Sequence, residues 1–182
     1  IYDAWNAKDE GAKKEKAWED LLEIYKQKYP EESNELERRF NSEMTHEFNE
    51  RFDDFLRDCS LQEDPIATRK ASQICLDHFC ADLPELIGGS ADLTGSNNTF
   101  SKHNTELTPD NPGGSHIYYG VREFGMVTIM NGMSLHGGIR PYGGTFLVFM
   151  DYARNAVRLS AMMSLPNICL LYTSPSPRDV SR

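Results

Sequence analysis

Apolar residues in the first sixty positions recur at helical spacing among charged ones. Ala17, Trp18, Leu21, Leu22 and Tyr25 gather on one face of a predicted helix that Pro30 ends. A second helix opens at Pro30 and is expected to carry Leu36 and Phe40 inward. A third follows Thr45, with Phe48, Phe52, Phe55 and Leu56 on one stripe. The pattern lapses around Asp64-Pro65, as in a linker. Beyond it the rhythm changes. A helix over about 67–80 precedes a short apolar run ending in Gly88-Gly89 and a polar Gly/Ser/Asn loop through Asn98. A long irregular stretch leads to a helix over about 122–135, a Gly143-Gly144 turn, and an apolar run over 145–150. A helix over about 152–163 and a last apolar run over 167–172 complete the series. Helices alternating with short apolar runs predict an α/β fold, a parallel sheet flanked by helices on both faces, preceded by an α-helical connecting segment. The expected organisation is an acidic helical segment over 1–64, an α/β domain over 65–173, and a disordered tail over 174–182, where Ser-Pro-Ser-Pro-Arg shows no periodicity.

Charge sharpens that division. Of 28 acidic and 19 basic residues, 19 acids and 10 bases fall within the first 64 positions, so the whole net charge of −9 sits there. An acidic chain without a basic stripe argues against nucleic acid as a partner. No apolar run reaches the roughly 20 residues needed to cross a bilayer, and the start lacks a basic and apolar leader, so no membrane partner and a cytoplasmic location are expected. Cys59, Cys75, Cys80 and Cys169 form no Cys-x-x-Cys pair and are read as reduced structural thiols; no metal ligands are assigned. The first residue is not methionine, consistent with a piece of a longer protein.

Ligands of open α/β sheets sit at the carboxyl ends of strands, which directs attention to four features. The loop Gly88 to Asn98 is either a tight turn with an Asx cap or a cradle of backbone N–H groups for an anion. Glu123 opens a mostly apolar helix, as a charge favoured by the helix dipole or as a poorly hydrated carboxyl able to share a proton with a ligand nitrogen. Phe146, Phe149 and Tyr152 belong to a core or stack on a flat heteroaromatic ring. Arg69 and Lys70 open a helix, as a solvated basic pair or as part of a phosphate clamp with a loop hydroxyl.

Taken in order, Thr68-Arg-Lys-Ala-Ser72, Gly88-Gly-Ser-Ala-Asp-Leu93, Tyr119-Gly-Val-Arg-Glu-Phe-Gly-Met126, Asn131-Gly-Met-Ser-Leu-His-Gly-Gly138 and Pro141-Tyr-Gly-Gly-Thr-Phe-Leu-Val-Phe-Met-Asp-Tyr-Ala-Arg154 resemble the transketolase family. The resemblance covers about residues 66 to 172, and the acidic helices, opened by Ala4-Trp-Asn-Ala-Lys8, look like the segment joining that family's first and second domains. It implies the thiamine diphosphate-binding fold, specifically an incomplete pyrimidine-binding domain. It also implies thiamine diphosphate and Mg2+ as cofactors, the metal's ligands lying in a domain absent from this chain. Sugar phosphates are the implied substrates, and a homodimer is implied for the full protein. Glu123 matches the glutamate that contacts the pyrimidine nitrogen N1′. Phe149 matches the residue that stacks on the aminopyrimidine, with Phe146 and Tyr152 lining the same pocket; Arg69 and Ser96 match the pair that binds the sugar phosphate, and Asp92 lies on the cofactor side of the loop that carries Ser96.

The implied activity is transfer of a two-carbon ketol unit from a ketose phosphate to an aldose phosphate in the pentose phosphate pathway, with this chain inactive alone. The alternatives are a related thiamine diphosphate enzyme such as a dihydroxyacetone synthase, or a non-catalytic interaction module. After Thr173 the family continues with a His-Asp, Gly-rich loop, whereas this chain continues with Ser-Pro-Ser-Pro-Arg; a truncated sequence with a non-native tail is expected.

Overall fold

The computed structural model describes residues 1–172, and the tail expected over 174–182 lies outside them. Two compact units succeed one another, Ile1–Glu43 and a second that begins at Met44. The first holds α1 (Tyr2–Trp5), α2 (Lys8–Lys28) and α3 (Pro30–Phe40). Pro30 starts α3, where its missing N–H costs nothing, while the Tyr29 N–H still closes α2 on the Tyr25 carbonyl at 2.8 Å. Leu36 of α3 lines one apolar hollow with Trp18, Leu21, Leu22 and Tyr25 of α2, and Lys26 pairs with Glu37 across the two helices. Phe40, expected to point inward, is half exposed at the last residue of α3, where the helix stops before its side chain is covered.

The second unit opens with α4 (His46–Ser60), whose N-cap Thr45 accepts the Phe48 N–H at 3.1 Å. Phe48 and Phe52 pack against Phe79 of α5 (Thr68–Asp82), and Phe55 stacks on His78 at 4.2 Å. Leu56 falls off that stripe and is half exposed. Aromatic packing thus joins α4 to the unit that follows, although its charge resembles that of the segment before it.

Four strands, β1 (Leu86–Ser90), β2 (His116–Tyr118), β3 (Arg140–Phe146) and β4 (Ile168–Tyr172), form one parallel sheet in the order β2-β1-β3-β4. Ser90 lies opposite Tyr118 on one side and Gly144 on the other. One face carries Leu86 and Tyr142 against Phe48, Leu76 and Leu83. The opposite face is covered by α7 (Glu123–His136) and α8 (Met150–Met162), through Met126, Val127, Met130, Ala153 and Ala156. Helices on both faces explain why the strands read as short apolar runs without alternation.

Three local expectations are corrected. Within the polar loop, residues Thr94–Asn97 form one short helix, α6, ended by Asn98 in the left-handed region at φ 53°. Within the irregular stretch, β2 supplies an edge strand of three residues. Finally, Gly143-Gly144 is the middle of β3 and not a turn, and the expected strand over 145–150 is the end of β3 followed by a single 3-10 turn, Leu147–Phe149. The reason is steric. A Cβ on Gly143 would come within 2.6 Å of Met130 Sδ and 2.8 Å of Met126 Sδ, so glycine lets α7 lie directly on the strand.

Gly143→Val is therefore expected to overpack this seam and destabilise the chain by about 1–3 kcal/mol, read as a lowered urea midpoint that Met130→Ala partly restores. An unchanged midpoint would contradict the packing. His116 gives a second expectation. It is fully buried beside Phe100 and Tyr118, its Nδ1 has no partner among the described residues, and burial pushes it down to about 4 against a weaker opposing influence of Glu106. Its folded pKa lies below the unfolded value, so stability is fully present above about pH 6.5 and is lost as pH falls towards about 4, on the order of 3 kcal/mol. In His116→Phe that part of the acid sensitivity of the urea midpoint should disappear.

Candidate active-site cleft

At the carboxyl ends of β1, β2 and β3 the chain leaves a cleft of 690 Å³. β1 is followed in sequence by β2 on one side of it and in space by β3 on the other, so the loops after these strands diverge and open a crevice at this switch in strand order. The lining comes from all three loops. Ala91, Asp92 and Leu93 follow β1, Val121 to Phe124 follow β2, and Phe149 and Tyr152 follow β3.

The β1 loop is held by its own backbone chemistry. The Ser90 hydroxyl donates to the Gly144 carbonyl at 2.9 Å and accepts the Leu93 N–H at 3.2 Å, and the Ala91 N–H donates to the same Gly144 carbonyl at 3.0 Å. These bonds turn the chain sharply enough to hold Asp92 at φ 60°, a region that aspartate enters more readily than most residues. Its side chain is exposed at the cleft wall.

Glu123 is the first residue of α7 and is only 7% exposed. The neighbouring Arg122 does not pair with it; its guanidinium donates to the Tyr119 carbonyl at 3.1 Å. Among the described residues no hydrogen bond or ion pair engages the Glu123 carboxylate, which leaves the helix N-terminus as its nearest compensation and an acceptor facing the cleft. The residue is thus largely covered, while its carboxylate lines the cleft, where an incoming polar group can meet it.

From the end of β3 into α8 three rings form a ladder. Phe146 and Phe149 lie 6.1 Å apart at 28°, and Phe149 and Tyr152 lie 6.3 Å apart at 30°. Phe149 and Tyr152 line the cleft, whereas Phe146 backs Phe149 from the end of β3. Arg69 and Ser96 lie outside the lining. Arg69 is half-buried in the first turn of α5 and Ser96 is exposed on α6. Ser72, one turn beyond Arg69, faces Tyr172 at the end of β4, so Arg69 belongs to the same end of the sheet as the cleft.

The structure thus brings Glu123, Phe149, Tyr152 and Asp92 together, with Phe146 behind them. It adds Leu93, Val121 and Phe124, which motif reading did not single out. Val121 is 75% exposed and Phe124 49% exposed, and a pair of apolar residues flanking a charged Arg-Glu pair was the available signal. Among the described residues no three His, Cys, Asp or Glu side chains converge as a metal site, and no helix is long and apolar enough to cross a membrane.

Comparison with known proteins gives the cleft a context. Residues 64–177 match the family model for the transketolase pyrimidine binding domain, and residues 1–45 match that for the transketolase thiamine diphosphate binding domain. The chain is 48% identical to transketolase 1 of Vibrio parahaemolyticus over 97% of its own length and 26% of that relative's. Transketolase from Pichia stipitis, solved in complex with sedoheptulose-7-phosphate, superposes with a TM-score of 0.74 at 40% identity, over 90% of this chain and 24% of that one. Transketolase from Leishmania mexicana superposes with a TM-score of 0.75 at 36% identity over the same shares. The chain therefore spans about a quarter of the length of the relatives it matches.

Proposed function

This chain belongs to the transketolase family, and from that premise we propose that it supplies the aminopyrimidine half of a thiamine diphosphate site. The proposed reaction is transfer of a two-carbon ketol unit from a ketose phosphate to an aldose phosphate. The observation that carries the reading is Glu123, a largely covered residue whose carboxylate has no partner among the described residues and lines a cleft walled by a near-parallel stack of aromatic rings.

The residues fit the group. A flat heteroaromatic ring needs an apolar slot with an aromatic face and one polar partner at a ring nitrogen, and the cleft offers both. Thiamine diphosphate, when bound, supplies the carbon nucleophile that breaks and re-forms a sugar carbon–carbon bond. The chain's own residues orient and tune. Glu123 holds a proton at N1′ of the aminopyrimidine, and the lack of a competing protein partner leaves that proton free for the ring. Phe149 stacks on the ring, Phe146 keeps Phe149 in place, and Tyr152 and Asp92 border the entrance. Arg69 and Ser96, outside the slot, are suited to the distant phosphate of a sugar that extends beyond it, the guanidinium as a fork and the hydroxyl as a single donor.

The diphosphate, its Mg2+ and the remainder of the sugar site belong in this reading to another domain, contributed by a second subunit of a homodimer. A cytoplasmic enzyme of the pentose phosphate pathway is the corresponding physiological setting. The 182-residue chain alone is then inactive.

In the holoenzyme containing this chain, Glu123→Gln is expected to lower the rate of ketol transfer by about 10²–10⁴-fold, measured by aldose phosphate consumption, while the urea midpoint stays within about 1 kcal/mol of its original stability. Unchanged turnover, or ketol transfer by the isolated chain, would overturn the assignment.

A further inference from the structure

The apolar seam between α7 and α8 is built from Met126, Val127 and Met130 against Ala153 and Ala156. Such a seam drives the helices together but fixes their offset weakly. Methionines adapt to different neighbours, and alanines present no ridge that interlocks. Directional bonds are needed to set the register, and a cluster of them joins the two helices.

Asn131 on α7 is buried and donates through Nδ2 to the Ala156 carbonyl of α8 at 3.1 Å. Its Oδ1 accepts the Ser160 hydroxyl of α8 and one Nδ2 proton of Asn167 at 2.6 Å. The other Asn167 proton reaches Ser160 Oγ at 3.1 Å, and Asn167 Oδ1 accepts the Ser134 hydroxyl of α7 at 2.6 Å. Both amide oxygens, both Asn167 protons and one Asn131 proton are paired, so the cluster joins α7, α8 and the segment entering β4 in one arrangement. An alternative offset by one residue would leave the buried Asn131 amide without these partners.

The cluster lies at the far end of both helices from the cleft. Glu123 precedes Asn131 by eight residues and Tyr152 precedes Ser160 by eight, so each arm is about 12 Å long at 1.5 Å per residue. We propose that Asn131, Ser160 and Asn167 are positioning residues: their hydrogen bonds set the offset of α7 against α8, and through it the width of the slot between Glu123 and the Phe149–Tyr152 wall. The proposal rests on the reading of that slot as the aminopyrimidine site.

The test uses the holoenzyme containing this chain, with Ser160→Ala to remove the link, Ser160→Thr to keep the hydroxyl, and Asn167→Ala to disturb the cluster from outside either helix. Affinity for thiamine diphosphate is measured by calorimetry, the stacking of its aminopyrimidine by near-ultraviolet circular dichroism, and the melting temperature of the cofactor-free protein alongside. Ser160→Ala and Asn167→Ala should bind about tenfold more weakly with a diminished stacking signal, and Ser160→Thr should recover both. In a Phe149→Ala background the Ser160→Ala loss should largely vanish, because the wall being positioned is gone. Unchanged affinity in both alanine variants, whatever their melting temperatures, would overturn the positioning role alone, as would losses that add fully to that of Phe149→Ala. Failure of the unmodified protein to bind the cofactor would overturn the reading of the slot, and this proposal with it.

Discussion

The close seating of α7 on β3 is the constraint from which the rest of the second unit follows. Gly143 has no side chain to hold the helix away, so the thioethers of Met126 and Met130 lie in the space a Cβ would fill. A helix drawn that close buries its first residue as well as its middle, and that residue is Glu123. An exposed glutamate at a helix N-terminus is ordinary. Sinking it beside Val121, Phe124 and Phe149 converts the same residue into an isolated acceptor in an apolar slot. Packing at the strand and chemistry at the cleft are thus two ends of one helix.

Much of this was legible in the chain. Helical spacing located α2 to α5 and α7 to α8 because each carries an apolar stripe or a clear stop such as Pro30. The strands were harder. β3 contains Pro141, Gly143 and Gly144, residues that locally favour turns, and only the neighbouring methionines make them suitable for a central strand. β2 has three residues whose burial depends on pairing with β1, a non-local contact that periodicity cannot reveal. The positions of Glu123, Phe149, Tyr152 and Asp92 around one cleft follow from the diverging loops after β1 to β3, so a reader of motifs could name them separately without seeing them meet.

In the proposed reading the cleft is one half of a site. One wall carries a carboxylate and aromatic rings, while exposed Val121, Phe124 and Tyr152 leave apolar surface at its rim. The chain spans about a quarter of the length of its relatives, and the surface that would complete an aminopyrimidine site is sought in the remaining length. In the proposed reading, two features of the chain shape its side of that site. The Ser90 hydrogen bonds shape the β1 loop, and the Asn131 cluster ties the two helices on which the opposing walls stand.

The most direct measurement is an experimental structure of the holoenzyme containing this chain with thiamine diphosphate bound. The account predicts the aminopyrimidine ring in the cleft, with N1′ about 3 Å from a Glu123 carboxylate oxygen and the ring face against Phe149. An aminopyrimidine bound elsewhere, or a Glu123 carboxylate paired to another protein group and turned from the ring, would contradict it.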